Sequence, residues 1–355
     1  MVKRLLFSLT LVLAAQPVLD ACTTFCVRAG IEVLFGRNYD FEIGDGMVMV
    51  NPAGADKKGY LEGGPSWHSK YGSVTFNQFG RGLPMGGLNQ AGVVVELMWL
   101  DETQYPARDA RSPLSVLEWI QYQLDTAASV ADVLASDGRV RIQGRTPLHY
   151  LVSDRTGATA TIEFLEGKLV SHKGADLPFT ALANDSYAKS RSFVEGRGRK
   201  PAGGSGSLER FSRAALALPA VASAGSTKSS PEGSAAVDRA FAVLADVGQR
   251  STRWSIVYQQ STGIVHWRTD RHPARRFLRM ADVSFDCGAD AVAIDVHAPL
   301  AGNARPRMVP LTAAMNHALV AGSTKKTSFT RATPDAEIAA DARYGVSAVC
   351  VGGTH

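Results

Sequence analysis

The residue on which chemistry can be built is Cys22, at the end of an apolar leader in the stretch Leu19-Asp20-Ala21-Cys22-Thr23-Thr24. Cleavage after Ala21 would make Cys22 the first residue and give it a thiol and a free α-amine together. A thiol needs a base to become a strong nucleophile, and an α-amine with a pKa near ~8 can be that base. The segment Gly36-Arg37-Asn38-Tyr39-Asp40 follows, and a two-stranded hairpin would fold it back beside Cys22. Arg37 there would lower the thiol pKa and favour thiolate. Asp40 would accept hydrogen bonds from the amine and orient it. Taken alone, Arg37 and Asp40 are more simply read as a surface ion pair at a strand end.

The leader has the form of a secretory signal. Lys3 and Arg4 precede an apolar run from Leu5 to Ala15, broken only by Ser8 and Thr10, and Pro17 and Ala21 follow. That run is too short for a membrane span, and no later stretch reaches the ~18 apolar residues a span requires. The expectation is a protein exported to the periplasm or secreted, with no stable membrane insertion. Leu19-Asp20-Ala21-Cys22 can also be read as a lipoprotein box, although Asp20 fits it poorly. The two readings exclude each other in consequence, because an acylated amine cannot act as a base.

The chain has 355 residues, 45% of them hydrophobic, which suits one large domain over 22–355. Its formal charge of +5 is spread thinly except around Arg197, Arg199 and Lys200. A solvated loop explains that cluster, and no nucleic-acid partner is expected. The four cysteines are Cys22, Cys26, Cys287 and Cys350. With Cys22 as a working thiol at most one bridge can form, and Cys287 with Cys350 is the choice, leaving Cys26 as a buried core thiol. His68, His149 and His266 are isolated from one another and from paired cysteines, so no metal site is expected. No cofactor is required.

The elements that must position these residues can be read coarsely. Residues 23–28 and 31–38 make a hairpin around Ala29-Gly30, and Val93 to Leu100 reads as a buried strand. Ser112-Pro113 looks like a helix start, with Leu117, Ile120 and Leu124 at helical spacing after it. A short helix is expected over 128–135, then strands over 149–154 and 159–164. Residues 195–207 are glycine-rich and read as a mobile loop. Helices near 208–218 and 235–247, a hairpin over 255–258 and 264–268, and a strand near 291–296 complete the pattern. Residues 303–355 show no clear period before 346–351, and their role is open. Helices clustered between blocks of antiparallel strands indicate an α+β layered sandwich.

Six segments occur in order: Cys-Thr-Thr-Phe (22–25), Gly-Arg-Asn-Tyr-Asp-Phe (36–41), Gly-Leu-Asn-Gln-Ala-Gly-Val-Val-Val (87–95), Leu-Val-Ser-Asp-Arg-Thr-Gly (151–157), Ala-Asn-Asp-Ser-Tyr (183–187) and Glu-Arg-Phe (209–211). Together they resemble the choloylglycine hydrolase and penicillin V acylase family of N-terminal nucleophile (Ntn) hydrolases, over roughly residues 22–300. The resemblance implies a four-layer αββα sandwich. It also implies a cysteine amidase acting on linear, non-peptide C–N bonds of small N-acyl amides, often assembled as a homotetramer. Position by position it makes Cys22 the nucleophile and Arg37 and Asp40 its flanking pair. Asn184 becomes the side-chain oxyanion donor and Arg210 the distal arginine, with Arg213 as the alternative. The bile-salt branch has Asn ten residues beyond the position of Asn89, and here that position is Trp99. The backbone N–H of Trp99 can still serve the oxyanion, and its ring suits a phenoxy or fatty acyl group. A penicillin V acylase-like specificity is therefore expected. An acyl-homoserine lactone acylase or a bile salt hydrolase are the enzymatic alternatives, and a lipid-anchored binding protein of the same fold is the non-catalytic one.

Overall fold

The computed structural model describes residues 22–225, 234–346 and 349–350. The leader expected over 1–21 lies outside them. Two antiparallel-rich sheets form the centre. The first has seven strands in the order 181–182, 23–29, 32–40, 252–259, 264–269, 276–279 and 302–303. The second has nine, in the order 168–170, 159–165, 148–153, 94–99, 84–89, 73–77, 47–51, 292–295 and 309–310. Strands such as Glu32–Asp40, Ser73–Asn77 and Leu148–Ser153 are buried at every residue. Full burial means both faces are covered, one by the other sheet and one by helices. Phe76 marks the inter-sheet layer, where its ring meets Trp254, Tyr258 and Trp267 across the gap.

The helices follow from local signals. Helix α1, Val116–Thr126, is started by Ser115, whose hydroxyl accepts from the Glu118 N–H while the Glu118 carboxylate accepts from the Ser115 N–H. This reciprocal cap outcompetes the Ser112-Pro113 start expected from sequence. Ser112–Leu114 is instead a short strand paired in parallel with Val140–Ile142. The next helices are α2, Val130–Ala135, and α3, Tyr187–Gly196. Then come α4, Ser207–Ser223, and α5, Ala235–Asp246. Helix α1 packs on the strands Pro84–Asn89 and Val94–Trp99 of the second sheet, and α4 and α5 pack on the first. The result is the αββα layering expected.

Residues 195–207 do not stand free as a mobile loop. Residues 195 and 196 close α3, Ser207 opens α4, and the carbonyls of Ala202, Gly204 and Ser205 accept from Arg213 and Arg210. The segment with no clear period also folds. It forms α6, Ala313–Lys326, and α7, Asp335–Tyr344, which share a small core of Val320, Ile338 and Ala342. Of the strand expected over 346–351, Val349–Cys350 pairs with Ala55–Lys58. The Cys287–Cys350 disulfide is present, and Cys22 and Cys26 are free and buried.

Candidate active site

The site begins with register. In the first hairpin Thr23 lies opposite Asn38 and Thr24 opposite Arg37, which puts Arg37 and Asp40 around Cys22. The Cys22 thiol donates to the Asp40 carbonyl at 3.8 Å, and Arg37 Nη2 donates to Cys22 Sγ at 3.8 Å. Asp40 is itself oriented: its carboxylate accepts from the Thr252 hydroxyl at 2.5 Å and from the Gln249 amide at 2.9 Å.

Arg37 is held from below. It donates to the Met85 carbonyl at 2.6 Å, forms a buried ion pair with Glu96, and lies over the Tyr39 ring at 5.0 Å. Tyr258 donates in turn to Glu96 at 2.5 Å. Gly86 makes room for this pair, since a Cβ there would collide with the Glu96 carboxylate. The pair changes the electrostatic expectation for the thiol. Burial pushes the Cys22 thiol above its ordinary value and outweighs the lowering by Arg37, whose charge Glu96 partly neutralises. A standing thiolate is therefore not what this pocket favours.

Arg210 gathers the other half of the site. Its Nη1 donates to the Cys22 carbonyl at 2.8 Å and to the Thr23 hydroxyl at 2.5 Å, and its Nη2 donates to Asn184 Oδ1 at 3.0 Å. Asn184 Nδ2 donates to the Trp99 carbonyl at 2.8 Å. An arginine only donates and a carbonyl only accepts, so the Asn184 amide has one allowed orientation. One N–H of its Nδ2 goes to the Trp99 carbonyl, and the amide carries a second. The Ser207 hydroxyl accepts from the Asn184 N–H at 2.8 Å and ties it to the start of α4. Arg213 points elsewhere, to Asp246 and the carbonyls of Ala202 and Gly204, so Arg210 is the arginine of the site.

Above the thiol lies an apolar pocket of about 170 Å³, open at its mouth. Cys22 and Asp40 lie on its floor, and its walls include Phe41, Phe79, Met85, Leu97, Trp99 and Leu117. The Trp99 indole N–H is not free for a substrate, because it donates to Asp101 at 2.6 Å. The ring thus offers the pocket its apolar surface. The apolar lining suits an apolar group on a small molecule. Among the described residues no group of three or more His, Cys, Asp or Glu could hold a metal ion.

Sequence reasoning brought Cys22, Arg37, Asp40, Asn184, Arg210 and Trp99 to one place, and the structure unites all six. It missed Glu96, Thr23 and Ser207. The signal for Glu96 was a lone acid within the otherwise apolar run Val93-Val94-Val95-Glu96-Leu97-Met98. It also missed Phe329 and Thr330, which line the pocket from the far end of the chain.

The architecture is an αββα sandwich with a buried thiol at the start of the strand Thr23–Ala29. Residues 22–187 match the family model of linear amide C–N hydrolases, the choloylglycine hydrolase family. A penicillin V acylase from Pectobacterium atrosepticum is 35% identical over 126 residues, 30% of this chain and 33% of that protein. The match thus spans about a third of the length of this curated relative. Among solved structures, penicillin V acylase from Agrobacterium tumefaciens superposes with a TM-score of 0.73 at 23% identity, covering 82% of this chain and 98% of that one. A conjugated bile acid hydrolase from Clostridium perfringens gives 0.66 at 16% identity, covering 79% and 98%. At these identities the two structures establish the shared fold.

Proposed function

We propose that this protein is an exported cysteine amidase that hydrolyses linear C–N bonds of N-acyl amides, with penicillin V acylase-like specificity. The observation that carries this reading is the convergence of Arg37, Asp40, Asn184 and Arg210 on Cys22 at the floor of an apolar pocket. Removal of residues 1–21 frees the Cys22 α-amine. The amine takes the thiol proton as Sγ attacks the amide carbonyl carbon. The free N–H of Asn184 Nδ2 and the Trp99 backbone N–H receive the oxyanion, where one donor is typically worth ~3 kcal/mol. Collapse breaks the C–N bond, and the amine leaves with the proton carried by the α-ammonium. Water, deprotonated by the same amine, then cleaves the thioester. The raised Cys22 pKa supports this order of events, because a neutral buried thiol requires a base within reach.

Trp99, with its indole N–H occupied by Asp101, favours a phenoxyacetyl or fatty acyl group over a hydroxylated steroid face. Acyl-homoserine lactones share the fatty acyl group and are the second substrate class. The test has two parts. N-terminal sequencing and intact mass of the exported protein should begin at Cys22 without lipid. Hydrolysis of penicillin V, a long-chain acyl-homoserine lactone and glycocholate should favour the first two by at least ~10-fold in kcat/KM. A diacylated Cys22, or preference for glycocholate, would overturn the reading.

A further inference from the structure

We propose that the loop after α6, residues 327–331, is the roof of the acyl pocket, and that Phe329 is a specificity-determining residue for the acyl group. The proposal rests on reading this pocket as the acyl site.

Phe329 lines the same pocket as Cys22, although it comes from the far end of the chain. Its ring stands edge-on to Phe41 with centroids 6.3 Å apart, and it lies 6.2 Å from Trp99. It therefore spans the two aromatic walls. Yet the residue remains 50% exposed, one of four exposed large hydrophobics among the described residues. An aromatic ring that touches both walls and still has half its surface open is placed to cover an apolar group lying between them.

Polar bonds fix this placement at the mouth and behind it. Next to Phe41, the Glu42 carboxylate accepts from the Ser328 N–H at 2.7 Å and from its hydroxyl at 3.1 Å, and Lys326 pairs with Asp45 at 2.6 Å. Next to Leu117, Glu118 accepts from the Tyr344 hydroxyl at 2.6 Å. Asn316 joins the two helices to the sheet domain, accepting from the Arg81 N–H and donating to the Ala342 carbonyl. Cys350 fastens the end of the segment to Cys287. The unit α6–α7 is thus pinned beside Phe41 and to α1, the helix that carries Leu117, and the loop between its helices reaches the pocket through Phe329 and Thr330. The ligand that fits is an N-acyl amide whose acyl group is aromatic or long enough to rise from the thiol to Phe329. A two-carbon acyl group ends short of the roof.

The test compares Phe329→Ala and Phe329→Leu with the unsubstituted mature protein on penicillin V and on an N-acetyl amide of the same amine. Phe329→Ala should lower kcat/KM for penicillin V by ~10-fold, mainly through KM, and should change the acetyl substrate by less than ~2-fold. Phe329→Leu should recover part of the loss. An equal effect on both substrates, or none on either, overturns the proposal. Binding separates this outcome from failure of the proposed reaction. Calorimetric titration of Cys22→Ala with penicillin V should show ~10-fold tighter binding than the same variant carrying Phe329→Ala. If the mature protein does not hydrolyse penicillin V but this binding contrast is found, the amidase reading falls and the roof stands. Equal binding, or no binding to either, overturns the roof.

Discussion

The floor and the roof of one pocket are built by opposite means. The floor lies on largely buried strands, and its polar groups bond to one another: Cys22 to Arg37 and Asp40, Arg37 to Glu96, Arg210 to Asn184. The roof is a loop between two helices of small shared core, held by ion pairs and hydrogen bonds that face solvent. Groups in a packed, hydrogen-bonded interior have few alternative arrangements, as aligned chemistry requires. Surface bonds are worth little individually and open at low cost, as entry of a substrate requires. The two regions should therefore respond differently to substitution. Changes in the floor should strike every substrate alike, and changes in the roof should sort substrates by the size of the acyl group.

The largest effect should come from the thiol. Cys22→Ala should reduce turnover of every amide to the uncatalysed background, and Cys22→Ser should lose most activity, because a hydroxyl is the poorer nucleophile near neutral pH. Steady-state rates on penicillin V and on a short acetyl amide check both. Next comes Asn184→Ala, which removes the donor with a spare N–H. It should lower kcat by ~10²–10³-fold on both substrates and leave KM nearly unchanged. A loss confined to the long acyl substrate would place Asn184 with the roof rather than with the reaction, and would break the contrast.

The third prediction separates two charges in the floor. Burial holds the Cys22 thiol pKa up and Arg37 draws it down, so Arg37→Ala should push it higher still. Thiolate would then form only at more alkaline pH, and alkylation of Cys22 by iodoacetamide should shift in that direction. Glu96→Gln should act in the opposite sense, because it removes the carboxylate that neutralises Arg37. It should also destabilise the fold, since it leaves a buried cation without its counter-charge; losses of ~3–5 kcal/mol are typical of such changes. Rate–pH profiles of alkylation and denaturant melts read these effects separately. If both variants move the profile the same way, the Arg37–Glu96 pair does not set the thiol's environment.

Much of the floor was legible because its information is local. A Gly30-centred turn, where that glycine has φ +63°, is enough to bring Arg37 and Asp40 to Cys22. Asn184 and Arg210 were found only through the family resemblance. Their meeting depends on α4 packing against the strand Thr23–Ala29, which no spacing reveals. The helix start at Ser112-Pro113 was misplaced because two serines competed and the decisive partner, Glu118, lies three residues beyond the second. The roof was illegible for a different reason. Helices α6 and α7 bury few residues, chiefly Val320, Ile338 and Ala342, so neither carries the apolar stripe that marks a core helix. Nothing near Phe329 in the sequence says that Phe41 and Trp99 are its neighbours.

The smallest effect should come from the roof's anchors, and it tests whether the roof is loose enough to open. Asp45 is partly buried, which pushes its pKa up, but Lys326 and Arg271 outweigh this and hold the carboxyl below its ordinary range. A depressed carboxylate pKa contributes stability that is present above the unfolded value, near ~4, and is lost as pH falls through the folded value. The Lys326 anchor should thus be intact at neutral pH and weaken only in acid. The pair is solvent-facing, so Asp45→Asn should cost only ~0.2–1 kcal/mol, and less at high salt. Global melting should hardly move. The effect should appear instead as faster hydrogen exchange at the Ser328 amide, whose bond to Glu42 depends on the loop staying docked. The strand amides around Cys22 should keep their protection. Equal acceleration in both regions would mean that floor and roof open as one unit, and that the pocket has no separately hinged cover.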